Sequence, residues 1–486
     1  MSLKQKTATG LFWVFLEKIG LYFIDFAIII ILARLLSPED FGLVAMVMIF
    51  FSVSTTIMEG GLNQALIREK KPNEEDVNTV FTTNLVFAIV LYIILYLLAP
   101  YIALFFENKM LTPIVRIMGL SLIFRSFGMA HRSMVVQSLN FKKEFYLVLP
   151  AHLFTGLLAI YLAYKGAGVY ALVIKYTALA FFTSLIFIIF SKYPIRLGFS
   201  KESFNRFFSF GLNIMLSRLI SSIYLNLYRV FIAKFYSAAA LGYYKQANNL
   251  RKMGSSNIVS AIQKVTYPVL AKLQDNPEKL KNAYRRVIKT TSVIVIPIMV
   301  FLFITADVLI PFLLGDQWML AVPMLKIIVV GGMVFNISLI NQNLLKVLGK
   351  TRLYLRLEIL KKISTTAALL IGIWFDILIL LAILQITAFI NAIIYSYVSS
   401  RYIDYRKKEQ ITDFFSALSY SIPMIIILAG FKFWFTTHYN QPFLFLLFAF
   451  ILGVMAYSAT VYRYYKKDIN ELISLVKQNK RINEPA

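Results

Sequence analysis

VFAIVLYIILYLL, residues Val86 to Leu98, contains no charged side chain and no alternation of apolar with polar positions. A strand in the wall of a membrane barrel would change character at every second residue, so this stretch is helical. With its flanks it stays apolar from about residue 78 to 99, near the ~20 residues a helix needs to cross a bilayer core. The pattern recurs near 11–36, 41–62, 113–131, 145–164, 168–190 and 207–233. It continues near 241–270, 287–305, 322–346, 353–374, 377–400, 414–434 and 442–462. The sequence therefore predicts an all-α integral membrane protein of about fourteen transmembrane helices.

Composition points the same way. The chain has 486 residues, 59% hydrophobic and 15% charged, with a mean hydropathy of +0.71. Its net charge of +26 would suggest nucleic acid in a soluble protein, but in a membrane protein the placement of the cations decides. They crowd alternate loops: Arg68, Lys70 and Lys71; Arg132, Lys142 and Lys143; Lys192 to Arg206; Lys272 to Lys289; Lys346 to Lys362; Arg401 to Lys408; and the C-terminal tail. The opposite loops hold Lys109, Lys165, Lys234 and Lys432. The basic side is cytoplasmic, and Lys4 and Lys6 place the N-terminus there with the C-terminus. The apolar stretch after Lys6 is too long for a signal peptide and reads as an uncleaved first span.

There is no cysteine, so disulfides, thiolate nucleophiles and cysteine-bound metals are excluded. No P-loop, dinucleotide fingerprint, HExxH or GxSxG occurs, and His131, His152 and His438 read as helix-end or packing residues. The sequence points to transport and not to an enzyme, with no cofactor, no metal and no nucleic-acid partner.

An internal repeat shapes the expected architecture. LARLLSPEDFG (Leu32 to Gly42) returns 200 positions later as IAKFYSAAALG (Ile232 to Gly242), pairing Ser37 with Ser237 and Gly42 with Gly242. Pro113, Arg116 and Ile117 likewise match Pro323, Lys326 and Ile327. The expectation is two pseudo-symmetric six-helix lobes around a central cavity, over 1–200 and 201–405, then a helix pair over 406–465 and a cytoplasmic amphipathic tail over 466–486. The segment from Asp275 to Lys289 reads as a separate helix on the lipid surface, capped by Asn276, with Leu280, Ala283, Tyr284, Val287 and Ile288 on one face. Pro150, Pro268, Pro297, Pro423 and the pair Gly331 and Gly332 mark kinks or close packing.

Cations left inside the spans are Lys18, Arg34, Arg116, Arg125, Lys175, Arg218, Arg229, Lys245, Arg251, Lys252, Lys264 and Lys326, against the acids Glu17, Asp25 and Glu59. A charge at the bilayer centre costs about 2.5–3.5 kcal/mol even on a lenient scale, so these groups face a cavity, a partner or an interface. Asp25, Arg218, Arg251 and Lys252 fall near mid-depth, Arg34 and Arg229 towards the outer face, and Lys18 towards the cytoplasm. They read either as ion pairs and snorkelling side chains or as a wet cationic cleft for an anionic headgroup. On the second reading Arg218, Arg251, Lys252, Lys18, Arg34 and Arg229 bind substrate. Asp25 and Glu59 are candidates for coupling to H+ or Na+, with a structural arginine pair for Asp25 and an interfacial role for Glu59 as the alternatives.

Longer stretches carry a resemblance: ILARLLSPEDFGLVAM (Ile31 to Met46), GLNQALIREKKPNEEDVNTVF (Gly61 to Phe81), LGYYKQANNLRKM (Leu241 to Met253), YPVLAKLQDNPEKLKNAYRR (Tyr267 to Arg286), LLGDQWMLAVPMLKI (Leu313 to Ile327) and LLKVLGKTRLYLRLEIL (Leu344 to Leu360). Together they resemble the Wzx-type polysaccharide exporters, of the colanic-acid exporter kind, in the multidrug/oligosaccharidyl-lipid/polysaccharide (MOP) flippase superfamily. The resemblance implies fourteen helices in two lobes and a cationic cavity on the first, second, seventh and eighth helices. It also implies movement of an undecaprenyl-pyrophosphate-linked oligosaccharide from the cytoplasmic to the periplasmic leaflet of a bacterial inner membrane, by alternating access. Such a protein serves O-antigen, capsule or exopolysaccharide synthesis as a monomer among membrane lipids, beside polysaccharide polymerase machinery. Two other readings stay open: an ion-coupled drug or small-molecule exporter of the same superfamily, and a membrane polymerase or glycosyltransferase. The latter would need a large outer loop with catalytic acids, whereas Ala306 to Val322 is short and holds only Asp307 and Asp316.

Overall fold

The computed structural model describes residues 20–191, 193–405 and 407–482. The described elements are α1 over residues 20–35, α2 (Pro38–Glu59), α3 (Leu62–Arg68), α4 (Glu74–Phe105), α5 (Leu111–Gln137), α6 (Phe141–Tyr164), α7 (Val169–Phe190), α8 (Lys201–Phe235) and α9 (Ala238–Gly254). They continue as α10 (Ser256–Lys272), α11 (Pro277–Leu314), a 3-10 turn (Asp316–Trp318), α12 (Ala321–Val347), α13 (Thr351–Gly372), α14 (Ile377–Ser400), α15 (Lys407–Ser419), α16 (Ile422–His438) and α17 (Pro442–Ile482). Glu17 and Lys18 lie outside the described residues, as do the side chains of the expected tail at 466–486.

Among the described residues, eleven segments are long and apolar enough to cross a membrane. The three other expected spans differ for separate reasons. The first begins outside the described residues. The eighth is divided between α9 and α10 at Ser255. The eleventh, α13, carries Arg352, Arg356, Glu358, Lys361 and Lys362 in its first half, too many charges for a simple span.

Helix α4 shows how the protein is solvated by lipid. Val86, Val90, Ile93, Leu97 and Leu104 form an exposed stripe at helical spacing, while Ala88, Ala99 and Ala103 are buried against the protein. Large side chains outside and small ones inside is the pattern of helices that associate by close packing, because lipid tails are as apolar as leucine. The starts of the helices are fixed locally: Ser37 and Asp40 form a reciprocal cap on α2 at 3.2 and 2.9 Å. Asn73 and Asp76 do the same for α4 at 2.7 and 3.2 Å. Each cap satisfies amide groups that the first turn leaves unpaired.

The chain divides into two compact units, residues 1–245 and 246–486. In the first, α8 packs on α2, α3 and α4. The repeated motifs meet there in person: a Cβ on Gly42 would stand 1.7 Å from the Ala238 carbonyl oxygen, and one on Gly242 2.0 Å from that of Pro38. Backbone therefore crosses backbone at two glycines 200 residues apart. Gly61 and Gly211 form a second contact of this kind, with 2.3 Å from a Cβ on Gly61 to the Gly211 carbonyl oxygen. A core of Leu62, Leu66, Val80, Met134 and Phe207 lies beside it.

In the second unit the expected surface helix at Asp275 to Lys289 is instead the first part of α11, which runs unbroken from Pro277 to Leu314. Asn276 caps it as expected, accepting from the Lys279 amide at 3.0 Å. Its apolar face is taken by protein: Leu280, Tyr284 and Ile288 pack with Leu270, Ile340, Leu344, Ile403 and Tyr405. Burial against the end of α12 outweighs a lipid surface, because it removes the face from water and buries the Tyr284 hydroxyl on Asn341 at 2.5 Å. Helices α16 and α17 dock on α11 through Ile296, Val300, Met424, Leu428, Phe435 and Phe445. Pro423 lies in the first turn of α16 and bends nothing, while Pro150, Pro268 and Pro297 lie inside α6, α10 and α11. Gly331 and Gly332 are close-packing positions, where an added Cβ would meet Gln385 at 1.9 Å and Met299 at 2.7 Å.

Candidate functional site

The first unit gathers most of its described intramembrane charges in two places. At one, Arg218 of α8 donates from Nη1 to Glu59 Oε2, at the end of α2, at 3.4 Å. The two residues assigned from sequence to different tasks are thus partners. Gln64, with its amide oxygen turned towards α8, accepts from the same guanidinium at 2.6 Å. Arg218 remains half exposed, so the pair leaves donors free for another anion. Arg125 of α5 is within electrostatic reach of Glu59, is exposed, and has no hydrogen bond or ion pair among the described residues.

At the second place Asp25 of α1 accepts from Lys175 Nζ at 3.3 Å and lies 3.1 Å from His152 Nδ1. The alternative to ion coupling for Asp25 is a structural pair with an arginine; the groups beside it are instead a lysine of α7 and a histidine of α6. The Lys175 side chain is 3% exposed and depends on that carboxylate, because an unpaired ammonium there would lose its hydration without compensation. Tyr176 lies within reach of Asp25 and Arg229, and Lys245 within reach of Arg229 and Lys175. Arg229 is anchored by Asn226 at 3.0 Å, and Asn226 donates to Ser52 of α2 at 2.7 Å. Ser52 and Ser222 are 3.3 Å apart, completing a polar seam between α2 and α8. Arg34 stands exposed at the end of α1, about 13 Å along the helix from Asp25 at 1.5 Å per residue.

In the second unit Arg251 and Lys252 occupy the last turn of α9, immediately before the break. Arg251 is held by Asn248, at 3.1 Å from Nε and 3.0 Å from Nη2, and lies 6.0 Å from the Phe335 ring. The break has a packing cause: a Cβ on Gly254 would stand 2.5 Å from Ile298 of α11, so the chain passes close to α11 there. Ser255 caps the turn by donating Oγ and its amide to the Arg251 carbonyl, at 2.9 and 3.1 Å.

Sequence reasoning missed two members of these groups. His152 reads from sequence as a helix-end or packing residue, and no pattern within its own span could bring it to Asp25 of α1. Arg125 was among the intramembrane cations but was not placed in a site, since depth alone could not bring it to Glu59. No group of three or more His, Cys, Asp or Glu with metal-holding geometry occurs among the described residues.

The fold and these polar clusters define a multi-pass, helical membrane protein with ion pairs set between its spanning helices. The lipid II flippase MurJ in its inward closed conformation has the same fold, with a TM-score of 0.73 over 95% of this chain and 100% of that one at 17% identity. Residues 31–323, more than half of the chain, match the polysaccharide biosynthesis protein family, and the protein belongs to it. The succinoglycan biosynthesis transport protein ExoT of Rhizobium meliloti (strain 1021) is 25% identical over 76% of this chain and 75% of its own. The lipopolysaccharide biosynthesis protein WzxC of Escherichia coli (strain K12) is 22% identical over 76% of each chain. The chain is thus a multi-pass membrane protein of the polysaccharide biosynthesis family with the fold seen in MurJ.

Proposed function

We propose that this protein flips an undecaprenyl-pyrophosphate-linked oligosaccharide from the cytoplasmic to the periplasmic leaflet of a bacterial inner membrane, for synthesis of a surface polysaccharide. Both termini are cytoplasmic in this reading, as the charge bias of the loops requires. The observation that carries it is the excess of cation over acid inside the first unit, where Arg125 and the half-exposed Arg218 share the single carboxylate of Glu59. A diphosphate supplies the missing negative charge, and guanidinium groups bind it through paired donors. Arg218 and Arg229 act in the first unit, and Arg251 and Lys252 in the second; Lys18 and Arg34 assist at the two ends of the first span. Asp25 and Glu59 couple the cycle to H+ or Na+. The glycan travels in water and the polyprenyl tail in lipid, so alternating access needs to shield only the diphosphate.

The test is flipping of an undecaprenyl-pyrophosphate oligosaccharide in proteoliposomes, with wild type beside an Arg218→Ala, Arg251→Ala double variant. Loss of transport in the folded variant alone supports both function and site. Transport by both removes the site and keeps the function. Transport by neither, across several glycans, favours a small-molecule exporter.

A further inference from the structure

A cavity of about 370 Å³ opens at the basic end of the first unit, at the turn of α3 that follows Gln64. It is lined by the end of α3 and the start of α8, with Arg68, Lys70 and Arg206 at its rim and Phe207 and Phe210 as its wall. The charges differ in how far they are already satisfied. Arg206 is tied through Nη2 to the buried Asp76, which also accepts from Ser203 at 2.7 Å, so its remaining donors face outward. Glu69, the acid at the cavity, turns its carboxylate onto the Lys70 amide at 3.1 Å. Arg68 lies 4.5 Å over the Phe210 ring and has no hydrogen bond or ion pair among the described residues. The Lys70 ammonium is exposed and also unpaired among them. The aromatic face holds the Arg68 guanidinium in place while leaving its donors free.

The surroundings are those of a membrane interface. The loop before α8 is pinned on α4 by Gly198 to Thr82 at 3.0 Å and Ser200 to Thr79 at 2.9 Å. It exposes Leu197 and Phe199, and Phe199 continues into a row with Phe204 and Phe208 at 5.5 and 5.1 Å. A cationic rim over an aromatic wall, beside an exposed apolar fringe, suits a ligand with a phosphate at one end and acyl chains at the other. We propose that this cavity binds the phosphate headgroup of an anionic membrane phospholipid, phosphatidylglycerol in type, at the cytoplasmic leaflet. Arg68 and Lys70 supply the primary contacts, Arg206 the third donor, and the Phe207 and Phe210 rings the seat for the glycerol. The site shares no residue with the transport clusters and does not depend on what is transported.

The experiment is native mass spectrometry of the full-length protein released from micelles with phosphatidylglycerol or phosphatidylcholine, with no lipid-linked sugar present. Wild type retains phosphatidylglycerol in preference to phosphatidylcholine, and Arg68→Gln with Lys70→Gln weakens that retention by about tenfold or more. Both side chains are exposed and unpaired, so the variant keeps the wild-type melting temperature; Arg68→Lys retains part of the preference. Equal retention of the two lipids by wild type, or unchanged retention by the double variant, overturns the proposal. Displacement of the lipid by excess inorganic phosphate alone also overturns it, because the site would then belong to a soluble anion.

Discussion

Placing a methyl group at Gly42 tests the helix crossing from which the first unit is built. The added Cβ would stand 1.7 Å from the Ala238 carbonyl oxygen, where a carbon and a carbonyl oxygen need about 3.3 Å. The obstacle is backbone on a helix and cannot rotate away, so the two helices must part by about 1.5 Å or shear. Overpacking of this kind costs about 1–3 kcal/mol and occasionally more, against a gain of about 1 kcal/mol from replacing glycine with alanine in a helix. The net expectation is destabilisation of up to about 2 kcal/mol. Gly242→Ala meets the Pro38 carbonyl at 2.0 Å and should cost a similar amount. Because one separation relieves both clashes, the double variant should lose less than the sum of the singles, which a double-mutant cycle reads as coupling. Gly430 in α16 is the control: nothing lies within 4 Å of its Cβ position, so Gly430→Ala should stabilise by up to about 1 kcal/mol. The assay is equilibrium unfolding in mixed micelles followed by circular dichroism. If Gly42→Ala matched Gly430→Ala, or the pair at 42 and 242 were additive, the crossing would not be the tight contact described.

Asp25→Asn should cost about 1–3 kcal/mol, discounted for the partial exposure of Asp25, because Lys175 is left buried without its carboxylate. Adding Lys175→Met should restore most of the stability; flipping that stays lost in the stable double variant marks Asp25 as a coupling residue, and flipping that returns removes that role. Arg125→Gln should leave unfolding within about 0.5 kcal/mol of wild type, since no hydrogen bond or ion pair among the described residues is lost, while lowering flipping by about tenfold; a larger loss of stability would make Arg125 structural. Burial, followed by the hydrogen bond to Asp413 at 2.5 Å, pushes the Tyr405 hydroxyl far above its ordinary range. A raised folded value means a contribution present below the unfolded pKa of about 10 and lost as pH rises above it, so Tyr405→Phe should flatten the alkaline limb of a stability–pH profile.

What could be read in the sequence was whatever depends on length and sidedness. Val86 to Leu98 gives a spanning helix by apolarity alone, and loop cations orient it, because bilayer thickness and insertion act on segments and not on contacts. Asn276 and Pro277 likewise announce the start of α11 locally. The course of α11 beyond that start was not legible, because its apolar face would suit lipid or protein equally and only the end of α12 decides between them. The break at Ser255 was hidden for a similar reason: Gly254 marks it, but a lone glycine in an apolar segment acquires meaning only when Ile298 stands beside it. The 200-residue repeat signalled a duplication, yet no pattern rule says that Gly42 and Gly242 meet each other.

The interior charges follow from the scarcity of acids. In the first unit, Asp25 is engaged by Lys175 and His152, and Glu59 by Arg218. In the second, Asp307 serves both Lys326, at 2.6 Å, and Lys432. Arg116 is placed otherwise, with its guanidinium 4.1 Å over the Tyr96 ring. Each arrangement brings a cation out of bulk water at tolerable cost. Among the described residues Arg125 has neither a ring nor a carboxylate of its own, and Glu59, the acid in its reach there, is already paired with Arg218. A membrane protein keeps such a group only where water or an arriving anion solvates it. A substrate that brings two phosphates would thus complete an electrostatic arrangement that the chain leaves deliberately short of negative charge. It follows that Arg125→Glu should be harsher on transport than Arg125→Gln: the new carboxylate would supply the missing charge permanently, repel the diphosphate and leave the fold intact. Equal transport by the two variants would mean that the deficit is not what selects the substrate.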